Sequence, residues 1–277
     1  MPIQRKLLPA IVWLALPVLC QASPADGDLD RILRMSGIAA QIEQFPELIK
    51  QGMRQAQLDG ELISKSAFST MLIRTDDTIR PAEIIAEVRS GLGESLSDDD
   101  VEELLEWYQS DLGREINALE EKAGSDEAFE RMSRQAPELL ARTGRVEFAR
   151  RIDEIVGATD LTMSIQEYTG LAVFSAITLA LRPDSAYQEI QHFREQMAIL
   201  RPQLREPTER MVIVSFVYTY LPLDQPKMDR FEAFLERPVT RRFNRAVARG
   251  LGSGLGRSID RWAQALAQIF ANKEQQI

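Results

Sequence analysis

Apolar residues recur at intervals of three and four positions along most of the chain, the spacing that places them on one face of an α-helix. Helix start signals accompany this pattern: Pro46 suits a first helical turn, and Ser97 precedes an acidic first turn with Asp100 three positions on. Strand-like alternation is scarce. The pattern therefore predicts an all-α protein, although the β-branched run 211–220 would also suit a strand.

Two segments share one apolar pattern at a constant offset of 127 residues, relating 101–119 to 228–246. The matched pairs are Leu104 with Phe231, Trp107 with Phe234, Leu112 with Val239, Ile116 with Phe243 and Asn117 with Asn244. A weaker match, at an offset of 120 residues, relates the surroundings of Gly37 to those of Gly157. These correspondences predict an internal duplication, with two related helical units packed as helical bundles. They also favour a helix over a strand for the run 211–220.

The first residues have the pattern of a secretory signal peptide. Arg5 and Lys6 precede an apolar stretch that ends near Cys20. Because this stretch is too short to span a bilayer comfortably and contains two prolines, residues 1–22 are interpreted as a cleaved signal peptide. A lipid anchor on Cys20 is the weaker alternative, since lipidation prefers a small residue before the cysteine and Leu19 stands there. The sequence therefore predicts a periplasmic protein.

The mature chain is predicted to consist of helical unit 1, residues 23–140, and helical unit 2, residues 141–277. Cleavage would remove the only cysteine, and with it any disulfide or thiol nucleophile. The net charge of −9 would become −11, because residues 1–22 hold two basic residues and no acid. A net anion is a poor general binder of nucleic acid, so no nucleic-acid partner is expected. No membrane span is expected after signal cleavage.

The segment EWYQSDLGREI, residues 106–116, is predicted to form a corner between two helices rather than a reactive site. Ser110 has the position of an N-cap, and Asp111 lies in the first turn that follows. Pro238 stands at the equivalent position in unit 2, and proline favours that same first-turn position. Because the chemically different Asp111 and Pro238 both suit the first turn of a helix, a structural role explains the segment better than a catalytic one. The predicted corner residues are Trp107, Tyr108, Ser110, Asp111, Gly113, Phe234 and Pro238.

This segment also resembles the signature of a known family, the bacterial exported "domain of unknown function 2059". The residues that carry the resemblance are Glu103, Leu104, Trp107, Tyr108, Ser110, Gly113 and Ile116. The similarity is best over about residues 84–120, and 211–247 resembles a diverged second copy. Asp111 departs from the proline usual in the family. The resemblance implies an all-helical envelope protein and brings no assigned activity.

Catalytic residue patterns are scarce, and no catalytic residue, metal site or cofactor is predicted. His192 is the only histidine and is interpreted as a solvent-facing helix residue. The glycine-rich run 249–258 lacks the Lys-Ser/Thr of a phosphate loop, so it is predicted to loosen or end a helix, with its glycines allowing close backbone approach. Glu103 and Glu106 share a helix face, yet the acidic run around them is typical of a solvated surface.

Unit 2 has a basic pattern that unit 1 lacks. Arg237, Arg241, Arg245 and Arg249 recur every four residues, with Arg242 alongside. On one helix these residues would form a basic stripe opposite the apolar side. Three interpretations stay open for this stripe: a solvated face, pairing with the acidic helix of unit 1, or binding of an external anion such as a phosphate group or an acidic protein.

The sequence favours a non-catalytic periplasmic protein that acts as a binding or scaffolding module of the cell envelope. One alternative is a carrier of an apolar ligand or lipid. Its pocket would be lined by the run 211–221 and by the all-round apolar run 169–181, which is predicted to form a buried central helix. A third possibility is a carboxylate-dependent cell-wall hydrolase. An envelope protein or an anionic ligand is the expected partner, and the residues indicate no oligomeric state.

Overall fold

The structure, a computed structural model, describes residues 26–60 and 65–274. These residues form thirteen α-helices and one short 3-10 turn, with no strand in either range. The helices are α1 (Asp26–Met35), α2 (Ile38–Glu43), α3 (Phe45–Gly60), α4 (Lys65–Thr78), α5 (Pro81–Ser95), α6 (Asp98–Gln109), α7 (Asp111–Ala123), α8 (Asp126–Leu140), α9 (Thr143–Val156), α10 (Ala158–Leu181), α11 (Ala186–Thr219), α12 (Gln225–Leu235) and α13 (Pro238–Glu274). The predicted all-α fold class is confirmed. None of the described helices is long and apolar enough to cross a membrane.

The predicted signal peptide, residues 1–22, lies outside the described residues. The predicted boundary between the two units falls between α8 and α9. The main hydrophobic core nevertheless combines residues from both sides of that boundary, including the fully buried Leu104 of α6 and Trp262 of α13. A smaller cluster joins α8 and α9 to the last part of α11 through Met132, Ala149 and Ile213. The two halves therefore share one core.

The two apolar runs 211–220 and 169–181 are both helical. The run 211–220 forms the end of α11 with Tyr220 as its C-cap, and Val212, Val214 and Val217 are buried there. Tertiary burial therefore outweighs the strand preference of β-branched residues. The run 169–181 lies in α10 as expected, but it is not a fully buried central helix. Among the residues of this run whose burial is described, Ala172, Ser175 and Thr178 are buried and the others are half-buried.

The glycine-rich run 249–258 lies inside α13 and does not interrupt it, so the expectation that it ends a helix is wrong. The close backbone approach that was also predicted for these glycines is present, because they allow α13 to pack closely on α5. A Cβ atom on Gly250 would lie 2.6 Å from the Cα of Val88, and one on Gly254 would lie 3.0 Å from Cγ2 of Ile84. The contact between α5 and α13 is the most extensive in the described fold. The missing side chains thus explain the run better than a break in the helix.

Helix boundaries repeat at the same offsets as the sequence pattern. The starts of α6 and α12 are 127 residues apart, and so are those of α7 and α13. The starts of α2 and α10 are 120 residues apart. Each of these two helices follows a glycine in the left-handed region, with φ of 73° at Gly37 and 69° at Gly157. The left-handed region strongly favours glycine, so the same residue type serves the same turn twice.

Candidate functional site

The predicted helix corner lies between α6 and α7, and Ser110 caps the second helix. The Ser110 hydroxyl accepts a hydrogen bond from the Gly113 N–H at 3.0 Å and donates to the Trp107 carbonyl at 2.7 Å. A Cβ atom on Gly113 would lie 2.1 Å from that carbonyl oxygen, which leaves no room for a side chain. Pro238 begins α13 at the equivalent corner, where Asp111 begins α7. These hydrogen bonds and the close contact explain the presence of Ser110 and Gly113 without a catalytic role for either residue.

The aromatic residues of the corner join the two halves of the molecule. The rings of Trp107 and Phe234 stack with their centroids 4.0 Å apart and their planes 6° apart. The rings of Tyr108 and Phe234 form an edge contact, with their centroids 6.2 Å apart and their planes at 79°. Offset stacking and edge contacts of this kind contribute about 0.5–1.5 kcal/mol beyond area burial. These rings form one wall of a cavity that lies between the halves.

This central cavity has a volume of about 440 Å³ and a mainly apolar lining contributed by helices of both halves. Small-molecule sites typically have volumes of roughly 300–1,000 Å³ and the same combination of apolar walls with few polar groups. The exposed residues Gln41, Gly124 and Ala248 also line it, so the cavity opens to solvent. Its interior polar side chains include Tyr108, Asn117, Glu120, Tyr220 and Asn244.

Glu120 is the one carboxylic acid among the residues that line the cavity. The Tyr220 hydroxyl donates a hydrogen bond to its Oε1 at 2.7 Å. Burial raises the pKa of Glu120 to about 7, and the bond from Tyr220 partly opposes this shift. Burial also raises the pKa of Tyr220 well above its ordinary value, so this phenol stays a neutral donor. The cavity wall therefore carries a carboxyl group that is partly protonated near neutral pH.

Two asparagines at equivalent positions of the duplicated pattern both line the cavity. The Asn117 amide donates to the Met35 carbonyl and so ties α7 to α1. The Asn244 amide nitrogen is buried and has no hydrogen-bond partner among the described residues. A buried donor without a partner typically costs about 1–3 kcal/mol. Asn244 therefore lines the cavity but keeps its amide nitrogen buried and without a partner among the described residues.

A second cavity of about 430 Å³, the arginine groove, adjoins the central cavity. Six residues line both: Val156, Leu161, Ile165, Asn244, Ala248 and Leu251. The arginine groove is also lined by Arg241 and Arg245, which are exposed, and by the acids Glu154 and Asp160. The apolar interior and this charged groove are thus neighbouring parts of one region.

The five arginines of the predicted stripe do not form one continuous basic surface. Arg237 precedes α13 instead of lying on it and pairs with Glu103 at 3.1 Å, while Arg242 pairs with Asp100. Arg249 donates to the Ser95 hydroxyl at 3.1 Å.

The arginines divide between two faces of α13. Arg242 and Arg249 are seven residues apart, two helical turns, and share the face toward α5 and α6. Arg241 and Arg245 lie on the face toward the arginine groove and form no ion pair with described residues.

The acidic run of α6 is partly engaged by these arginines. Burial alone would raise the pKa of Asp100, but the Ser97 backbone N–H and the Arg242 guanidinium outweigh it and hold the pKa below its ordinary value. Asp98 and Asp99 are exposed, as is Glu106. His192 is exposed on α11 and is not among the residues that line either cavity.

Sequence reasoning missed Glu120 and Tyr220, although a signal for Glu120 existed. Glu120 follows the buried Ile116 by four residues, which places it on the apolar face of α7. The equivalence of Asn117 and Asn244 was visible in the duplicated pattern, but nothing local indicated that both line a cavity. Tyr220 meets Glu120 across 100 residues of chain, so no local signal could pair them.

Residues 82–141 match the sequence model of a family described as "Uncharacterized protein conserved in bacteria (DUF2059)". The matched range runs from α5 to the end of α8 and includes the first helix corner and Glu120. It does not include α13 and its arginines. No curated protein and no solved structure matches the chain. The match supports the resemblance of the first unit to this domain family.

Proposed function

We propose that this chain is a non-catalytic binding protein of the bacterial cell envelope, and that its central cavity holds a small apolar molecule. The observation that carries the proposal is the cavity of about 440 Å³ between the two halves, with apolar walls and few polar groups. Location in the periplasm rests on the signal-peptide pattern of residues 1–22. Among the sequence-based alternatives, the cavity favours a carrier of an apolar ligand over a scaffold without a ligand.

The cavity only partly matches the pocket expected for such a carrier. Ser215, Phe216, Thr219 and Tyr220 line it, all from the run 211–221. None of its lining residues comes from 169–181. The end of α11 therefore contributes as expected, whereas helices α2, α7, α9, α12 and α13 supply walls that the sequence did not indicate.

The composition of the cavity also supports binding over hydrolysis. Glycoside hydrolysis of the common type uses two carboxyl groups on opposite sides of the scissile bond. The residues lining the central cavity include one carboxylic acid, Glu120, with a phenol as its hydrogen-bond partner. Asp100 and Glu103, in the acidic run, pair with arginines of the other half. This distribution of acids favours a non-catalytic site.

We further propose that the two halves are related copies that pack about a pseudo-twofold axis. Residues on opposite sides of such an axis contact their own equivalents or exchange partners reciprocally. Trp107 and Phe234 are equivalent at the offset of 127, and their rings stack on each other. Helix contacts are reciprocal too: α5 packs on α13, while the end of α11 packs on α7.

Two ion pairs support the same arrangement. Asp100 of α6 pairs with Arg242 of α13, and Glu115 of α7 pairs with Lys227 of α12 at 2.7 Å. Adding 127 to Asp100 gives Lys227, and adding it to Glu115 gives Arg242. The two pairs are therefore equivalent, with the charges exchanged between halves. In this arrangement the cavity is a space between two copies, which explains why helices of both line it.

Binding of a neutral apolar probe, N-phenyl-1-naphthylamine, tests the proposed function. We expect one probe molecule to bind per wild-type chain with increased fluorescence. Ser215→Phe adds a ring at a half-buried residue that lines the cavity, so this variant should lose probe binding. Ala198→Phe adds the same ring at an exposed position of the same helix and serves as the control.

Melting temperatures of all three proteins show whether each variant is folded. Loss of binding in folded Ser215→Phe, with binding retained in Ala198→Phe, would support the central cavity as the site. Equal binding by all three folded proteins, or no saturable binding by wild type, would contradict it.

A further inference from the structure

The central cavity and the arginine groove adjoin and share lining residues, but they differ in the charged side chains that line them: Glu120 alone in the central cavity, and Glu154, Asp160, Arg241 and Arg245 in the groove. Both are lined by the same side of α13, where Asn244, Ala248 and Leu251 recur at helical spacing. The interior end contains aromatic walls such as Phe231 and Phe234. A ligand that fills both parts must therefore have an apolar body and a polar end.

The charged end is suited to an anion. Arg241 and Arg245 lie one helical turn apart on the groove side of α13, and neither is paired with a described acid. The other arginines of the stripe bind side chains of α5 and α6. Guanidinium groups bind carboxylate and phosphate oxygens through paired hydrogen bonds.

The acids of the arginine groove leave a positive excess. Asp160 pairs with Arg205, which neutralises it. Glu154 is the other acid that lines the groove, and it stands against the two guanidinium groups of Arg241 and Arg245. Two cations against one unneutralised acid favour a negatively charged head group in this half of the space.

The position of Glu120 favours one orientation of such a ligand. Glu120 lines the central cavity but not the arginine groove, so its partial negative charge disfavours an anionic head group at the interior end.

From these features we infer that the protein binds one amphiphile with an acyl chain in the central cavity and an anionic head group on Arg241 and Arg245. This inference rests on the proposed binding function and names the class of its ligand. The head group is a carboxylate or a phosphate, and the two possible sources are a free fatty acid and a phosphate-bearing lipid.

Fluorescence titration with dansylaminoundecanoic acid and with its methyl ester tests this inference. The two probes share the apolar chain, and only the acid carries the negative charge. We expect wild type to bind the acid more tightly than the ester. The double variant Arg241→Gln/Arg245→Gln should weaken binding of the acid about tenfold or more, because it removes both charged donors that would bind the head group. Its affinity for the ester should not change.

The double variant Arg237→Gln/Arg249→Gln is the matched control, because it removes the same charge from the same region outside the arginine groove. It should bind both probes like wild type. Displacement of the bound acid by palmitic acid and by lysophosphatidic acid then distinguishes the sources. Displacement by either one supports the inference, and the stronger competitor identifies the head group.

The outcomes separate this inference from the proposed function. If wild type binds acid and ester equally and the groove variant changes neither, the anionic head group is wrong while the cavity remains a ligand site. If the control variant loses as much affinity for the acid as the groove variant, general charge attraction replaces a specific contact and the inference fails. If wild type binds neither probe, the proposed function itself fails.

Discussion

Glu120 is the titratable residue through which pH acts on the cavity wall. Its carboxyl group accepts a hydrogen bond from the Tyr220 hydroxyl, and burial raises the pKa of Glu120 from 4.5 to about 7. Tyr108 and Tyr220 remain neutral over this range because burial raises the pKa of both phenols. The folded state therefore holds this proton more tightly than the unfolded chain. The resulting stability is fully present below about pH 4.5 and is lost as the pH rises through about 7.

The substitution Glu120→Gln should remove the loss of stability at high pH, while its amide oxygen still accepts a hydrogen bond from Tyr220. At pH 8 we expect the variant to be more stable than wild type by roughly 1–3 kcal/mol, a range reduced for solvent screening of the half-buried residue. Urea unfolding between pH 4.5 and 8 measures the free energy of unfolding of both proteins. Glu121→Gln, at an exposed neighbour, is the control. Parallel pH profiles for wild type and Glu120→Gln would contradict the assignment.

At the scale of elements, the packing of α5 against α13 depends on where the glycines of α13 lie. Gly250 faces the backbone of Val88, whereas Gly256 has no atom within 4 Å of an added Cβ. We expect Gly250→Ala to lower the free energy of unfolding by about 1–3 kcal/mol, because the Cβ overpacks a backbone contact. Gly256→Ala should raise it by up to about 1 kcal/mol, since alanine favours a helix.

Urea unfolding of the two alanine variants and wild type measures these changes. The paired design controls for helix propensity, because both substitutions replace glycine by alanine in the same helix. Similar effects of both substitutions, in either direction, would show that close approach to α5 does not explain the glycine-rich run.

The elements also show which features a single sequence can reveal. The corner at Ser110 was predictable because an N-cap and a first-turn residue act over three or four positions. The close backbone approach of the run 249–258 was also predictable from its glycines. The continuity of α13 through them was not, because it depends on packing against α5, which lies far away in the chain. The four-residue spacing of the arginines was visible, and pairing with the acidic helix of unit 1 was one of its three interpretations. The spacing alone did not show which arginines have partners on α5 and α6.

At the scale of the whole molecule, the cavity is a consequence of how the two halves pack. Trp107 and Phe234 stack at the centre, while α5 with α13 and α11 with α7 close two sides reciprocally. Helices of both halves then surround a space that neither encloses alone. Under the proposed duplication, the proposed binding site lies between two related copies and is lined by helices of both.

The central claim is that this space is occupied by a small apolar or amphiphilic molecule in the cell. Native mass spectrometry of the protein, expressed with its export signal and isolated from cells without detergent, tests it most directly. The claim predicts a one-to-one adduct that is absent from folded Ser215→Phe and present in Ala198→Phe. A wild-type spectrum with the mass of the bare chain alone would contradict it.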